Sequence, residues 1–349
     1  MALRPTNSLL LAALLGLGCS PQESIDASNV NSDGGVDAPL IEPDTFIPDG
    51  GVDAYALSDA FIPDGGMDAF EVTDAGPGAA GDGGFITSIA CPGWLGLPTG
   101  GVLLGPTNLS PEGLRVGPDC ALYIASGNEV LRVEQGTGVV TSFASTAMAT
   151  GLQGLDFGPD GNLYVASRDA NAIVRFNGST GAFIDLFANA GLDGPNTPRF
   201  GPDGGLYVSC RNTTNVVRID PTGGAAAPFA THPLLGSPEG ISFGPDGNLY
   251  VSARTNFVVM RFNGTTGAFM EQIIIAPAVS APEGIAFTSD GSLWIASRDT
   301  DEVLRLNVNT LAVTNRYPTS PERRPIGLEV VNDQVVVGLR GTGRVRIFP

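Results

Sequence analysis

"FGPDGNLYV" stands at residues 157–165 and again, letter for letter, at 243–251. A block repeated 86 positions apart signals a repeated structural unit. Its Asp recurs at Asp119, Asp160, Asp203, Asp246, Asp290 and Asp333, in steps of 41, 43, 43, 44 and 43 residues. A fixed period of this size marks a solenoid or a propeller, and the content of one unit separates them. In the second unit "GLDF" (154–157) is a short strand, a. Gly158-Pro159-Asp160-Gly161 is a tight turn, with Pro at its second position and Gly at its fourth. "LYVAS" (163–167) is strand b, rich in strand-forming residues. "AIVRF" (172–176) is strand c, "NGSTG" (177–181) a turn, and "AFIDLFA" (182–188) strand d. No helical period competes within the repeats. Four strands per unit, repeated radially, predict a β-propeller blade.

Six copies predict an all-β, six-bladed β-propeller. The sixth unit has strand a ("GLEVV"), b ("QVVVGL") and c ("RVRIF"), and then the chain stops at Pro349. Its missing strand d is expected from the front of the domain, where "TGGVLLG" (99–105) matches the strand d pattern. An N-terminal strand in blade six closes the ring and leaves no open edge.

The stretch "PEGISFGPDGNLYVSAR", with "RFNGTTGAF" after it, resembles the NHL-repeat and virginiamycin-B-lyase-like six-bladed propellers. The resemblance covers residues 99–349 and rests on turn and core positions. It therefore implies the fold strongly and the activity weakly.

The chain has 349 residues and a net charge of −18, with no Lys and all its 18 basic residues Arg. That balance argues against nucleic acid, which needs a basic footprint. The abundant Gly and Pro lack a Gly-X-Y period, which excludes collagen. Of the 36 acids, 14 lie in residues 20–84, and no basic residue stands between Arg4 and Arg115. The acidity thus belongs mainly to a tail. "FIPDGGVDA" (46–54) returns as "FIPDGGMDA" (61–69) within it. Asp-Gly and Pro-Asp pairs break regular structure, and so acidic and apolar-poor a stretch is expected to be a disordered stalk. The calcium-binding nonapeptide pattern is not matched there. Before the stalk, Arg4 precedes an apolar run from Leu9 to Leu17, too short to span a membrane and fit for a signal peptide. "LGLGC" (15–19) resembles the lipobox of bacterial lipoproteins, departing from it at Gly16. The expected organisation is a signal peptide (1–18), a disordered acidic linker (19–84) and the propeller (85–349). Cys19 would carry lipid and hold a monomeric protein at the bacterial cell envelope, the lipid being its membrane contact. Ordinary secretion is the alternative.

Propeller geometry puts the d–a and b–c connections on one face, the mouth, and the a–b turns on the other. Nearest the axis, just before strand a, stand Glu112, Gln153, Asn196, Glu239, Glu283 and Ile326. At the end of strand b come Arg168, Arg211, Arg254, Arg298 and Arg340, with Gly127 in blade one. Two readings stay open. The Glu and Arg rings either pair between blades and tie the ring together, or bind an anionic or polar ligand. A further Arg repeats on strand c at 132, 175, 218, 261, 305 and 346 and reads as structural. The oxygen donors Glu112, Glu239, Glu283, Gln153 and Asn196 could hold calcium, where gluconolactonase-like propellers place a divalent ion. No cofactor or metal site is assigned. The single histidine, His232, lies seven residues before Glu239. Virginiamycin-type lyases use a His and a Glu for elimination, so His232, Glu239 and Glu283 are the catalytic candidates. No nucleophile elbow, zinc motif or phosphate loop occurs. Cys91 and Cys120 should meet on the lower face beside blades six and one as a disulfide, and Cys210 should be a buried free thiol. The reading is a surface-tethered, non-enzymatic module that binds a protein, peptide or glycan at its mouth. The alternative is an envelope lyase or lactonase-like enzyme at the same place.

Overall fold

The computed structural model describes residues 91–349 apart from 95, 99, 105–109 and 275–278. The signal peptide, Cys19 and the acidic linker lie outside the described residues, as do residues 85–90. The described residues form 24 strands in six four-stranded sheets, each ordered a-b-c-d from strand to antiparallel strand. This is the six-bladed propeller. The inner strands a are Pro111–Val116, Leu152–Phe157, Pro195–Phe200, Pro238–Phe243, Pro282–Phe287 and Pro325–Val331.

The repeated nonapeptide is the lower edge of a blade. In blade two Gly161 takes a positive φ of 74°, which glycine adopts without cost. Asp160 accepts the Asn162 backbone N–H at 3.1 Å and the Tyr164 hydroxyl at 2.8 Å. Gly158 leaves room for the Tyr164 ring, which a Cβ would meet at 2.6 Å. Tyr164 then stacks edge-on between Phe187 of its own blade and Phe200 of the next, with centroids 4.8 and 4.9 Å apart. Each such residue links turn, strand and neighbouring blade.

Strand b is buried on both sides, and "LYVAS" (Leu163–Ser167) is buried at all five positions. One side of the strand packs against the preceding blade and the other against the following one. One core cluster accordingly joins Tyr164, Ala166 and Ile173 of blade two to Leu206, Val208 and Ile219 of blade three. Each fully buried aliphatic side chain contributes about 1.5–3 kcal/mol, so the ring is held by its blade-to-blade seams.

The N-terminal segment closes the ring. Val102–Leu103 pairs antiparallel with Arg344–Phe348 as strand d of blade six, Val102 opposite Val345. The Leu104 N–H adds a bond to the Gly343 carbonyl at 2.9 Å. The Asn332 side chain accepts from the Cys91 N–H at 3.0 Å and donates to the Cys91 carbonyl at 2.7 Å. Cys91 is disulfide-bonded to Cys120, with Cα atoms 5.6 Å apart, which ties this segment to blade one. Cys120 occupies the left-handed turn position with φ 59°, where glycine stands in other blades.

Blade six corrects two equivalences. Its a–b connection is a two-residue hairpin, Asn332-Asp333, between Val331 and Gln334. Both residues have positive φ, 47° and 60°, as the turn type favoured by right-twisted hairpins requires. Asp333 is therefore not the sixth turn aspartate. It reaches blade five instead, accepting from the Ser289 N–H at 2.8 Å. Arg346 pairs with Val337, whereas Arg175 pairs with Tyr164, two residues into strand b. Ile347, opposite Val336, holds the Arg175 place. A one-residue step in a strand turns the side chain to the other face, and Arg346 meets Glu322 at 2.6 Å rather than a turn aspartate.

Candidate ligand-binding mouth

Each strand a slips register beside its first residues, as between Pro238 and Ile241 in blade four. A bulge there re-aims the second residue of the strand. Glu112, Asn196, Glu239, Glu283 and Ile326 consequently line one channel entrance. The third residue is glycine in five blades because the inner strands crowd one another. A Cβ on Gly240 would meet the Glu283 carbonyl oxygen at 2.4 Å, and one on Gly284 the Ile326 carbonyl oxygen at 2.5 Å. Serines at strand b hold the glutamates from behind. Ser252 Oγ donates to the Glu283 carbonyl at 2.7 Å, and Ser209 Oγ donates to that of Glu239.

The arginines close over these carboxylates. Arg211 Nε lies 3.0 Å from Glu239, and Arg254 reaches both Glu239 (3.6 Å) and Glu283 (3.3 Å). Arg298 meets Glu283 at 3.4 Å, and Arg340 of blade six meets Glu112 of blade one at 2.8 Å. Arg168 has weaker partners, the Gln153 amide oxygen at 3.4 Å and exposed Asp169 at 3.9 Å. Glu239 also accepts from the Asn196 amide. Pairing within and between blades thus engages every glutamate of the mouth and leaves Arg168 with long contacts only.

Four guanidinium contacts alone would pull the two carboxyls down. Burial and proximity outweigh them: Glu239 and Glu283 are 1% and 7% exposed. Burial first, and then the charge of Glu283, raise the Glu239 carboxyl well above its usual range. Burial likewise pushes Glu283 up to about 7, against the pull of Arg298 and Arg211. The pair holds a proton near neutrality.

Deeper in the channel lies a second ring, which the sequence reading missed. Arg115, Asp156, Arg199 and Glu329 share the fifth position of strand a. Arg115 Nε meets Asp156 at 2.7 Å and its NH1 meets Glu329 at 3.0 Å. Arg199 meets Glu329 at 3.8 Å and donates to the Leu155 carbonyl at 3.0 Å. Asp156 accepts the Phe200 N–H at 2.9 Å. Burial works against the Arg115 charge, yet Asp156 and Glu329 hold its pKa above the usual arginine value. The signal was available: four of six blades place a charge at one register of an otherwise apolar strand. Between the rings the cavity is only about 30 Å³, room for about two waters at roughly 10–15 Å³ each. A ligand must therefore sit across the rim, not in the channel.

His232 is placed elsewhere. It stacks on Phe269 of the outermost strand of blade four, centroids 4.3 Å apart, and its Nδ1 accepts the Leu234 N–H. It forms no bond to Glu239 or Glu283, so the His–Glu pair expected at the mouth is not assembled. The donor set does not fit calcium either. The carboxylates face guanidiniums where a cation would sit, and among the described residues no group of three or more His, Cys, Asp or Glu could hold a metal. Cys210 is buried, and burial pushes its thiol up to about 11.

Comparison with known proteins places this geometry in context. The model of the Virginiamycin B lyase family matches residues 102–336. Among solved structures, a catalytically inactive His-to-Ala virginiamycin B lyase from Staphylococcus aureus with quinupristin is similar. It is 18% identical at TM-score 0.56, over 71% of this chain and 87% of that one. A gluconolactonase from Xanthomonas campestris is also 18% identical, with TM-score 0.59 over 71% and 88% of the two chains. A chain of a nidogen/laminin complex is 14% identical, with TM-score 0.58 over 64% and 85%. These likenesses share the fold alone. No curated protein matches the sequence.

Proposed function

Given that the chain belongs to the virginiamycin B lyase family, we propose that its propeller is a binding module whose mouth recognises an anionic group on a protein, peptide or glycan. One observation carries this reading. Five arginines ring the mouth against three glutamates, and Arg168 has no close carboxylate partner. A ligand carboxylate can take a bidentate place on such a guanidinium. The glutamates, buried and Arg-paired, orient the arginines rather than meet the ligand. Lipid on Cys19 would display the module at the bacterial envelope. The experiment is a binding screen of carboxylate-bearing and neutral peptides and oligosaccharides against the full chain. Acidic ligands should bind, weaken with added salt, and weaken about tenfold in Arg168→Ala. Preference for neutral ligands, or indifference to Arg168→Ala, defeats the proposal.

An enzymatic reading rests on the family and on the shared proton. Burial pushes Glu283 up to about 7, where a general acid works, and raises Glu239 as well. The similar lyase loses activity with a histidine, however, and the one histidine here stands on the outer strands. Mass spectrometry of quinupristin and of aldonolactones incubated with the protein separates the readings. Ring opening of either that is lost in Glu239→Gln would replace the binding reading with the enzymatic one.

A further inference from the structure

The lower face has a cleft of about 170 Å³ between blades four and five. The c–d turn of blade five lines one side of it. In blades two and four this turn carries Gly178 and Gly264, packed flush on the a–b turn of the same blade. A Cβ on either would lie 1.9 Å from the carbonyl oxygen of Gly161 or Gly247. Blade five has Val308 at that place, and its side chain forbids the same approach to Gly291. The turn stands off, and Val308, Gly291, Asn307 and Asn309 line the gap. Leu311, where blades two and four have Gly181 and Gly267, is held at a positive φ of 56°. A non-glycine residue there costs about 1–3 kcal/mol, so this departure from the repeat is not one of relaxed packing.

The lining is polar and charge-balanced. Asp246 is paired with Arg261 and accepts the Tyr250 hydroxyl at 3.0 Å. Asp290 is paired with Arg305. The balance disfavours a charged ligand of either sign. Unused hydrogen-bonding groups remain. Asn307 Oδ1 accepts the N–H groups of Asn309 and Thr310, at 3.0 and 3.1 Å, while its amide nitrogen donates to no protein group among the described residues. Among the described residues the exposed Asn309 side chain makes no hydrogen bond to protein. Free amide donors, a free amide oxygen and carboxylates with spare lone pairs suit a ligand whose every group both donates and accepts. Hydroxyls do so. At roughly 10–15 Å³ per water, the cleft has room for a ring bearing several of them.

We propose that this lower-face cleft binds a neutral sugar unit, independently of the mouth. The test uses the full chain and a panel of glucose, galactose, mannose and N-acetylglucosamine, with galacturonate and glucosamine as charged counterparts. Saturation-transfer NMR and calorimetry should find saturable binding of at least one neutral sugar with Kd of about 1 mM, near −4 kcal/mol. Asn309→Ala should weaken it about fivefold. Val308→Gly, which lets the turn settle on Gly291 but also removes a side chain packed on the blade-five core, should weaken it as much, with melting of Asn309→Ala at the wild-type temperature. No saturable neutral binding, tighter binding of the charged sugars, or affinity unchanged in both variants overturns the proposal.

Discussion

The buried carboxyl pair at the mouth makes stability depend on pH with a sign that can be worked out. Glu283 sits at about 7 against an ordinary 4.5. The native state thus holds its proton more tightly than the unfolded chain. The stability this contributes is complete below the unfolded value and is lost as pH rises through the folded one. At about 1.36 kcal/mol per pKa unit, a shift of this size corresponds to roughly 3 kcal/mol in full. Between pH 5 and 8 most of this is lost, roughly 2–3 kcal/mol. A domain of this size changes melting by about 2–4 °C per kcal/mol, so the expected fall is about 5–10 °C. Glu239 is raised as well and acts in the same direction. Asp160, Asp203, Asp246 and Asp290 do not interfere. Burial works to raise them, but their hydrogen bonds lower them overall, and their contribution disappears only below about pH 4. The assay is calorimetric melting at half-unit pH steps, for the wild type and Glu283→Gln. The variant cannot titrate at 283 and should lose the share of the slope that Glu283 carries, while buried Glu239 keeps its own. Wild-type melting that is flat or rises from pH 5 to 8 would refute the reasoning, because it would mean that the arginines keep the pair ionised.

Three further outcomes are expected. Gly240→Ala should destabilise by about 1–3 kcal/mol, since its Cβ falls 2.4 Å from the Glu283 carbonyl oxygen; Gly93→Ala, with open space around it, should be silent, and equal melting of the two would remove the crowding argument. Deleting the chain through Leu104 removes the disulfide, worth about 2–4 kcal/mol, and two buried side chains, Val102 and Leu104, worth about 1.5–3 kcal/mol each; calorimetry should show a large drop, whereas deleting only residues 20–84 should leave melting unchanged. Cys19→Ser should move the protein from the membrane to the soluble envelope fraction, and continued sedimentation with membranes would end the lipid-anchor idea.

The blade was legible because packing and turns enforce it. In blades one to four strand b is buried at every position and mostly apolar, and the turn needs Gly, Pro and Asp in order, so both print a period. The ring closure was legible for the same reason, since a missing strand d leaves a countable gap. Blade six was misread where it departs from the loop length of the others. A shorter hairpin keeps an Asp and an Arg in view along the sequence while shifting both out of register. The floor ring of Arg115, Asp156, Arg199 and Glu329 was missed because its charges change sign from blade to blade, so no repeated letter marks them. His232 was placed by loop topology, which does not show how far strand twist carries the outer strands from the axis.

Strand a separates support from chemistry by position. Its third residue is small because the neighbouring backbone leaves no room, and its fourth and sixth are apolar because they pack. The second and fifth face the axis and carry neither duty. They can change without disturbing the packing that holds the blades together. In this chain three of the six second positions and four of the six fifth positions carry charge, and each of these charges has a partner nearby. At the floor two arginines meet two carboxylates, so that ring is neutral and needs no ligand. At the mouth the matching is incomplete, since Arg168 faces an amide where Arg211, Arg254, Arg298 and Arg340 face glutamates. The unbalanced guanidinium therefore lies beside blades one and two, where Gly127 also leaves the rim open. An anion approaching the mouth gains most on that side, and the buried Glu239–Glu283 pair lies across the axis from it, shielded by its own arginines.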